Sequence, residues 1–292
     1  MTTEALSPAK AGVTARRTPS PKGSLLARVG SRLLSLNALL AFAFLYAPIV
    51  ILVIFSFNAS RLNAVWQGFT LEWYSILLRD EMIHSAFKNS MIVATASTVI
   101  STVLGTMTAL VMERFRFRLR SAFDAVLYLP IIIPDIVMAV SLLLFFVSAF
   151  RVLSSLAGIQ WQLGLGTIII AHVSFNISFV AVVVRARLAD FDRTLEEAAQ
   201  DLGANEWQTF RRVTLPLIMP GIIGGALLAF TLSIDDFVIT FFTAGVGSTT
   251  LPIRIYGMIK RTITPEINAI SSLMLLASIG LVLLSLLVQR RK

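Results

Sequence analysis

Residues 194–216 read TLEEAAQDLGANEWQTFRRVTLP, a polar island between two very apolar stretches. Thr194 with Glu197 three residues later is a capping-box pattern, so a helix is expected to begin at Thr194. Gly203 is where that helix can close, because glycine accepts the left-handed backbone of a helix end without steric cost. Asn205 with Gln208 offers a second start, and Pro216 limits how far the second helix runs unkinked. The expected shape is a short helix, a bend and another short helix. Ala198 and Ala199 keep the first helix thin enough for another element to pack closely on it.

The chain on either side explains why this island stands out. Of 292 residues, 56% are hydrophobic, more apolar side chain than one soluble core buries, so an integral membrane protein is expected. Six apolar segments, near residues 33–57, 86–112, 122–150, 164–184, 217–243 and 267–288, each approach the roughly 20 residues a bilayer demands. The third is overlong and carries Pro130 and Pro134, which predicts a kinked or unwound helix. Residues 1–24 are rich in Ser, Thr, Pro, Ala and bases without apolar period, and read as a disordered basic tail, not a cleaved signal peptide. The first outer loop carries Trp66, Phe69, Trp73 and Tyr74, which fit an interfacial belt with a short amphipathic helix over Leu71–Leu78 on the membrane surface. Thr264-Pro265-Glu266 is a helix start, with an acid beside the positive dipole end.

The net charge of +9 does not indicate nucleic acid, because the bases sit in short runs at segment ends. With the N-terminus inside, 18 of the 25 Lys and Arg fall on the inner side and 7 outside. The bias predicts that both termini and the loop 185–216 face the cytoplasm.

The order Glu197-Ala198-Ala199, three residues, Gly203, nine residues, Val213, one residue, Leu215-Pro216 resembles the EAA signature of ABC-importer permeases. Where that family usually has Ile, this chain has Val213, one methylene smaller. The resemblance implies an all-α integral membrane protein of six transmembrane helices with the type I ABC-importer permease fold, spanning residues 25–292. It also implies that loop 185–216 is a coupling loop docking into a cytoplasmic ATPase dimer through Glu197, Ala198, Ala199, Gly203, Leu215 and Pro216.

No Gly-x-x-x-x-Gly-Lys-Ser/Thr occurs, and none of the five lysines is followed by Ser or Thr, so no phosphate-cradling loop is present. With no cysteine there is no thiolate nucleophile or cysteine-ligated metal. His84 and His172 are too far apart in sequence to suggest a metal site, and His172 reads as a hydrogen-bonded interhelical residue. No catalytic residue is expected. No cofactor is expected on this chain, and the resemblance places ATP and Mg on the partner ATPase.

Three acids fall inside predicted spans: Asp135 in the third, Asp235 and Asp236 in the fifth. Each costs roughly 2.5–3.5 kcal/mol at a helix centre, several times what one Leu or Ile returns, so such residues face a cavity or a partner. In a continuous helix Ser233, Asp236, Thr240 and Thr243 form one polar stripe, with Asp235 about 100° away. Asp236 is then presented to a pathway, while Asp235 bonds to a neighbouring helix. Gly221-x-x-x-Gly225 on the same span allows close helix contact.

LSIDDFVITFFTAGVGSTTLP at 232–252, TPEIN at 264–268, PIIIPDIVMAVSLLLFF at 130–146 and AHVSF at 171–175 are similar to the permease subunits of bacterial putrescine/spermidine importers. The resemblance runs from Leu36 to Leu287. It implies an inner-membrane permease that moves polyamines with a second permease subunit, expected to be a paralogue, and a periplasmic polyamine-binding protein. Polycations call for carboxylates and aromatic faces on their route, so Asp236, Asp135, Asp235, Thr240, Phe241 and Glu266 form the candidate substrate pathway. Permeases for ferric ion, sulfate or thiamine share the EAA loop and are the alternative. A cation-coupled secondary transporter would leave that loop unexplained.

Overall fold

The computed structural model describes residues 25–60, 65–261 and 264–290. The expected basic tail 1–24 lies outside the described residues. The chain divides into two compact units, Met1–Ile51 and Leu52–Lys292. Most of the first is the N-terminal part of helix α1, Leu25–Phe55, which carries Arg28 and Arg32 near its start, is mainly apolar beyond them and contains Pro48.

In the second unit three long helices pack most closely on one another: α3 (Glu81–Arg114), α6 (Leu165–Ala189) and α9 (Leu215–Asp235). Small residues set their separation. A Cβ on Gly105 of α3 would lie 2.8 Å from Val180 Cβ of α6. One on Gly221 would lie 2.8 Å from Arg187 Cβ, and one on Gly225 3.3 Å from Val180 Cα. The Gly221-x-x-x-Gly225 pair is therefore the close-contact surface of α9, and its partner is α6. Ala109, Leu127, Val180, Ala181, Val184 and Ala229 fill the core at this crossing.

Among the described residues five helices are long and apolar enough to cross a membrane: Gly30–Phe55, Glu81–Arg114, Asp135–Ala157, Leu165–Ala189 and Glu206–Asp235. The sixth expected span coincides with α12, Pro265–Arg290, which starts at the Thr264-Pro265-Glu266 signal. The only pairing of strand type among the described residues is one isolated bridge, Asn58 with Phe69. The protein is an all-α, multi-pass membrane protein.

Two local expectations are revised, the continuous fifth span and the place of Trp73 in an interfacial belt, and the break expected in the third span is found. The third span is two helices, α4 (Arg120–Ile132) and α5 (Asp135–Ala157), separated by extended backbone at Ile133 and Pro134. Pro134 disfavours helical backbone at Ile133, so the chain unwinds there as expected, and Asp135 opens a helix. The fifth span also breaks. α9 ends at Asp235, Asp236 is extended (φ −66°, ψ 126°), and α10 covers Val238–Thr243. Asp236 accepts hydrogen bonds from the backbone N–H groups of Ile239 (3.4 Å) and Thr240 (2.7 Å), so its carboxylate starts a new helix instead of continuing the old one.

The loop between residues 244 and 264 contains an amphipathic helix, α11 (Leu251–Arg261). Asn89 of α3 holds the turn before it by donating to the Gly247 and Thr249 carbonyls (3.1 and 3.0 Å). In the loop between α1 and α3, α2 is Glu72–Leu77, close to the expected helix, but Trp73 is only 4% exposed. Its indole N–H donates to the Asn58 carbonyl at 2.7 Å, and it packs with Leu77, Ile83, Leu251 and Ile270. Trp73 is a core residue, not part of an interfacial belt, because a buried indole with its N–H satisfied gains the full burial of its ring.

Candidate functional site

The polar island folds as a hairpin. α7 (Thr194–Asp201) starts under a different cap from the one expected: Asp192 accepts from the Thr194 N–H at 3.0 Å, and no Thr194–Glu197 capping box forms. These bonds hold the Asp192 carboxyl below its usual range. Gly203 closes the helix in the left-handed region, φ +89°. Asn205 and Gln208 then form a reciprocal capping box (2.9 and 3.0 Å) that opens α8, Glu206–Thr209.

α8 does not stop before Pro216. It widens into a π-helical turn, Phe210–Thr214, and runs on into α9 with Pro216 at its start. Proline has no N–H and its ring displaces the carbonyl four residues back, here that of Arg212, and a π turn absorbs that displacement.

Glu197 and Ala198 are exposed, Ala199 is half-buried, Leu215 is half-buried and Pro216 is exposed. Two large apolar side chains join them at the surface, Leu202 (90% exposed) and Trp207 (66%), the latter 5.9 Å from the Phe210 ring. The acid that ties the hairpin to the membrane helices is Glu196, which sequence reading passed over. Its Oε1 takes both the Arg114 guanidinium of α3 and the Thr214 hydroxyl of the π turn. Nothing local announces this, since Arg114 is 82 residues away. Nearby, Arg185 bridges Glu113 (3.0 Å) and Asp124 (2.6 Å), and Arg193 donates to the Glu113 carbonyl at 2.9 Å.

The three membrane acids converge. A cavity of about 470 Å³ is lined by Asp135, Asp235 and Asp236 together with Phe175, Phe179, Phe237 and apolar residues of α5 and α10. Two helix breaks make this possible. Asp135 is the first residue of α5, where the dipole favours an anion, and Asp236 sits in the extended link between α9 and α10. Asp235 ends α9 and is hydrogen-bonded by Ser278 of α12. Thr240 does not line the cavity but stands behind Asp236, donating N–H and hydroxyl to Oδ2, both at 2.7 Å. Phe241 packs at a tilt against Phe237 (5.4 Å) and edge-to-face with Tyr256 (6.3 Å) outside the cavity wall, and Glu266 lies in the first turn of α12, also away from it.

Behind Asp236 lies a buried polar cluster. His172 is fully buried, with Nδ1 2.7 Å from Ser233 Oγ, and Nε2 2.9 Å from Thr240 Oγ1 and 3.3 Å from Asp236 Oδ2. Ser97 of α3 (2.7 Å) and Asn176 of α6 (3.3 Å) reach the same Ser233 hydroxyl. Ser233 and Thr240 from the expected stripe do meet, through His172 rather than along one helix face.

Long apolar helices, a charged hairpin fastened to two of them and a carboxylate-lined cavity between broken helix ends define a membrane permease. The chain belongs to the family of binding-protein-dependent transport system inner membrane components, whose model matches residues 101–292. It is 45% identical over 245 residues to the putrescine transport system permease protein PotI of Escherichia coli (strain K12), covering 84% of this chain and 85% of that one. It is 41% identical over 251 residues to the spermidine/putrescine transport system permease protein PotC of the same strain, covering 86% and 91%. In structure it resembles a chain of a bacterial ABC transporter that imports alginate, with a TM-score of 0.72 at 19% identity over 89% of this chain and 94% of that one. A chain of the same kind of transporter, in complex with its pentasaccharide-bound periplasmic protein, gives a TM-score of 0.70 at 20% identity, covering 90% and 94%. These similarities show the fold of ABC-importer permeases.

Proposed function

We propose that this chain is the permease subunit of an ATP-driven importer of polyamines such as putrescine and spermidine, acting from periplasm to cytoplasm. The observation that carries the reading is the joining of Asp135, Asp235 and Asp236 with three phenylalanines in one cavity. Carboxylates compensate ammonium groups stripped of water, and aromatic faces receive both the cations and the methylene chain between them. The names of the relatives at 45% and 41% identity support the same substrate class.

The chain itself is the non-catalytic subunit: ATP and Mg belong to a partner ATPase dimer, which receives the hairpin at Glu197, Ala198, Ala199 and Gly203. Exposed Leu202 and Trp207 beside that sequence support docking, since burying two large apolar side chains against a partner removes their surface from water. A second permease subunit, a paralogue, and a periplasmic polyamine-binding protein complete the importer in the inner membrane. The charge bias orients both termini and the hairpin to the cytoplasm.

The complex, purified through this chain and reconstituted in proteoliposomes, should contain those partners and accumulate putrescine only with ATP. Accumulation driven by an ion gradient without nucleotide would replace this reading with a secondary transporter. Reporter fusions after Arg120 and Lys292 should read cytoplasmic and one near Gly247 periplasmic. A cytoplasmic signal at Gly247 would reverse the topology.

A further inference from the structure

The geometry points to His172, acting through Thr240, as the positioning residue that fixes one oxygen of Asp236 and leaves the other, Oδ1, as the atom that receives an ammonium group in the cavity. The inference rests on the polyamine reading above.

The two carboxylate oxygens are unequally engaged. Oδ2 meets the Thr240 N–H and hydroxyl, both at 2.7 Å, and His172 Nε2 at 3.3 Å. Among the described residues Oδ1 has only the long contact from the Ile239 N–H, 3.4 Å. An ionised carboxylate only accepts, so the Thr240 hydroxyl spends its single proton on Oδ2. Toward His172 that hydroxyl must accept, and Nε2, 2.9 Å away, must carry a hydrogen. The tautomer is thereby assigned at Nε2.

The opposite ring nitrogen is held by Ser233 at 2.7 Å, and Ser233 in turn by Ser97 of α3. Three helices thus brace one imidazole, and the imidazole aims a single N–H at the Thr240–Asp236 pair. The side chain of Asp236 keeps 11% of its surface exposed while His172 keeps none. Oδ2 is turned to the donors of Thr240, which leaves the under-bonded Oδ1 for the cavity that Asp236 lines. A carboxylate locked this way meets a cation without having to reorganise, which is what a transient site on a transport route requires.

The test uses the reconstituted complex, read as putrescine moved per ATP hydrolysed. His172→Leu should lower that ratio at least tenfold. His172→Gln, whose amide nitrogen takes the place of Nε2, should recover at least half of it. Thr240→Val, nearly the same volume, should lower the ratio at least threefold and carries the test if His172→Leu does not assemble. The double variant H172Q/D236N should be no worse than D236N, because His172 acts through Asp236. An unchanged ratio in both His172→Leu and Thr240→Val, or equal losses in His172→Gln and His172→Leu, would overturn the assignment. A wild-type complex that moves no putrescine would instead overturn the polyamine reading, and the ammonium assignment with it.

Discussion

Glu196 and Thr214, 18 residues apart, meet on one carboxylate oxygen, with the Thr214 hydroxyl donating to it beside the Arg114 guanidinium. That oxygen joins three elements: α7, the end of α3 and the π turn leading into α9. The hairpin therefore cannot shift as a free loop. A push on α7 is delivered to two of the three core helices at once, and the π turn is the point where the α8–α9 helix is already wound differently.

Removing this junction should affect coupling more than stability. The Arg114–Glu196 pair is part-exposed, with side chains 36% and 18% accessible, and such pairs contribute about 0–1 kcal/mol. Glu196→Ala should leave the complex assembled while reducing ATPase stimulation by loaded binding protein about fivefold. Thr214→Val should give a smaller loss. Stimulation equal to wild type in Glu196→Ala would make the junction a packing detail.

The turn between α7 and α8 gives a second prediction. Gly203 has φ +89°, where a side chain costs about 1–2 kcal/mol, and nothing lies within 4 Å of an added Cβ. The cost is backbone strain alone, so Gly203→Ala should be tolerated in membrane levels but re-angle the hairpin. Gly203→Asp and Glu197→Lys should both suppress stimulated ATPase activity, because they alter the exposed face proposed to dock. Wild-type stimulation in all three would remove the hairpin from the docking surface.

Much of this hairpin was legible because its signals are local: a glycine for a left-handed turn, an Asn/Gln capping pair, a proline near the end. Local signals also misled. Thr194 and Glu197 have the spacing of a capping box, but Asp192 stands closer to the orphan N–H groups and wins. The break after Asp235 was not legible, since LSIDDFVITFF holds neither Gly nor Pro to mark a helix end and lies within one long, mainly apolar segment. What stops the helix is Asp236 turning its carboxylate to Ile239 and Thr240, with His172, 64 positions earlier, bonded to the Thr240 hydroxyl behind it. The amphipathic α11 was hidden for a similar reason, as Leu251-Pro252 reads as a loop until Asn89 and Ser90 of α3 pin the preceding turn. Convergence of Asp135 with Asp235 and Asp236 depends on two breaks in different helices, and no single stretch encodes it.

The helix crossing at Gly105 supports a purely structural prediction. Its missing Cβ would press on Val180 Cβ and on the Ile177 carbonyl, 2.9 Å away, and neither can retreat from the α3–α6 interface. Gly105→Val should cost about 1–3 kcal/mol through overpacking and lower the amount of complex in the membrane. Gly257→Ala, with open space around it, is the matched control. Equal membrane levels for both would mean that the crossing has slack.

The neighbouring acids Asp235 and Asp236 should separate in function. Both line the cavity, yet Asp236 is set into a network of fixed donors, whereas Asp235 ends α9 and is hydrogen-bonded by Ser278. A carboxylate in a path of low dielectric compensates a passing ammonium more strongly than one in water, so its loss raises the barrier to transfer. Asp236→Asn keeps the shape and an acceptor oxygen but loses the charge. We expect at least a tenfold fall in putrescine uptake per assembled complex, a barrier increase of about 1.4 kcal/mol. Asp235→Asn should mainly lower the amount of complex in the membrane, with uptake per complex reduced less than threefold. Uptake of radiolabelled putrescine, normalised to complex quantified in the same membranes, separates the two. Near-normal uptake by Asp236→Asn would leave the cavity carboxylates as packing groups and place substrate selection in the binding protein.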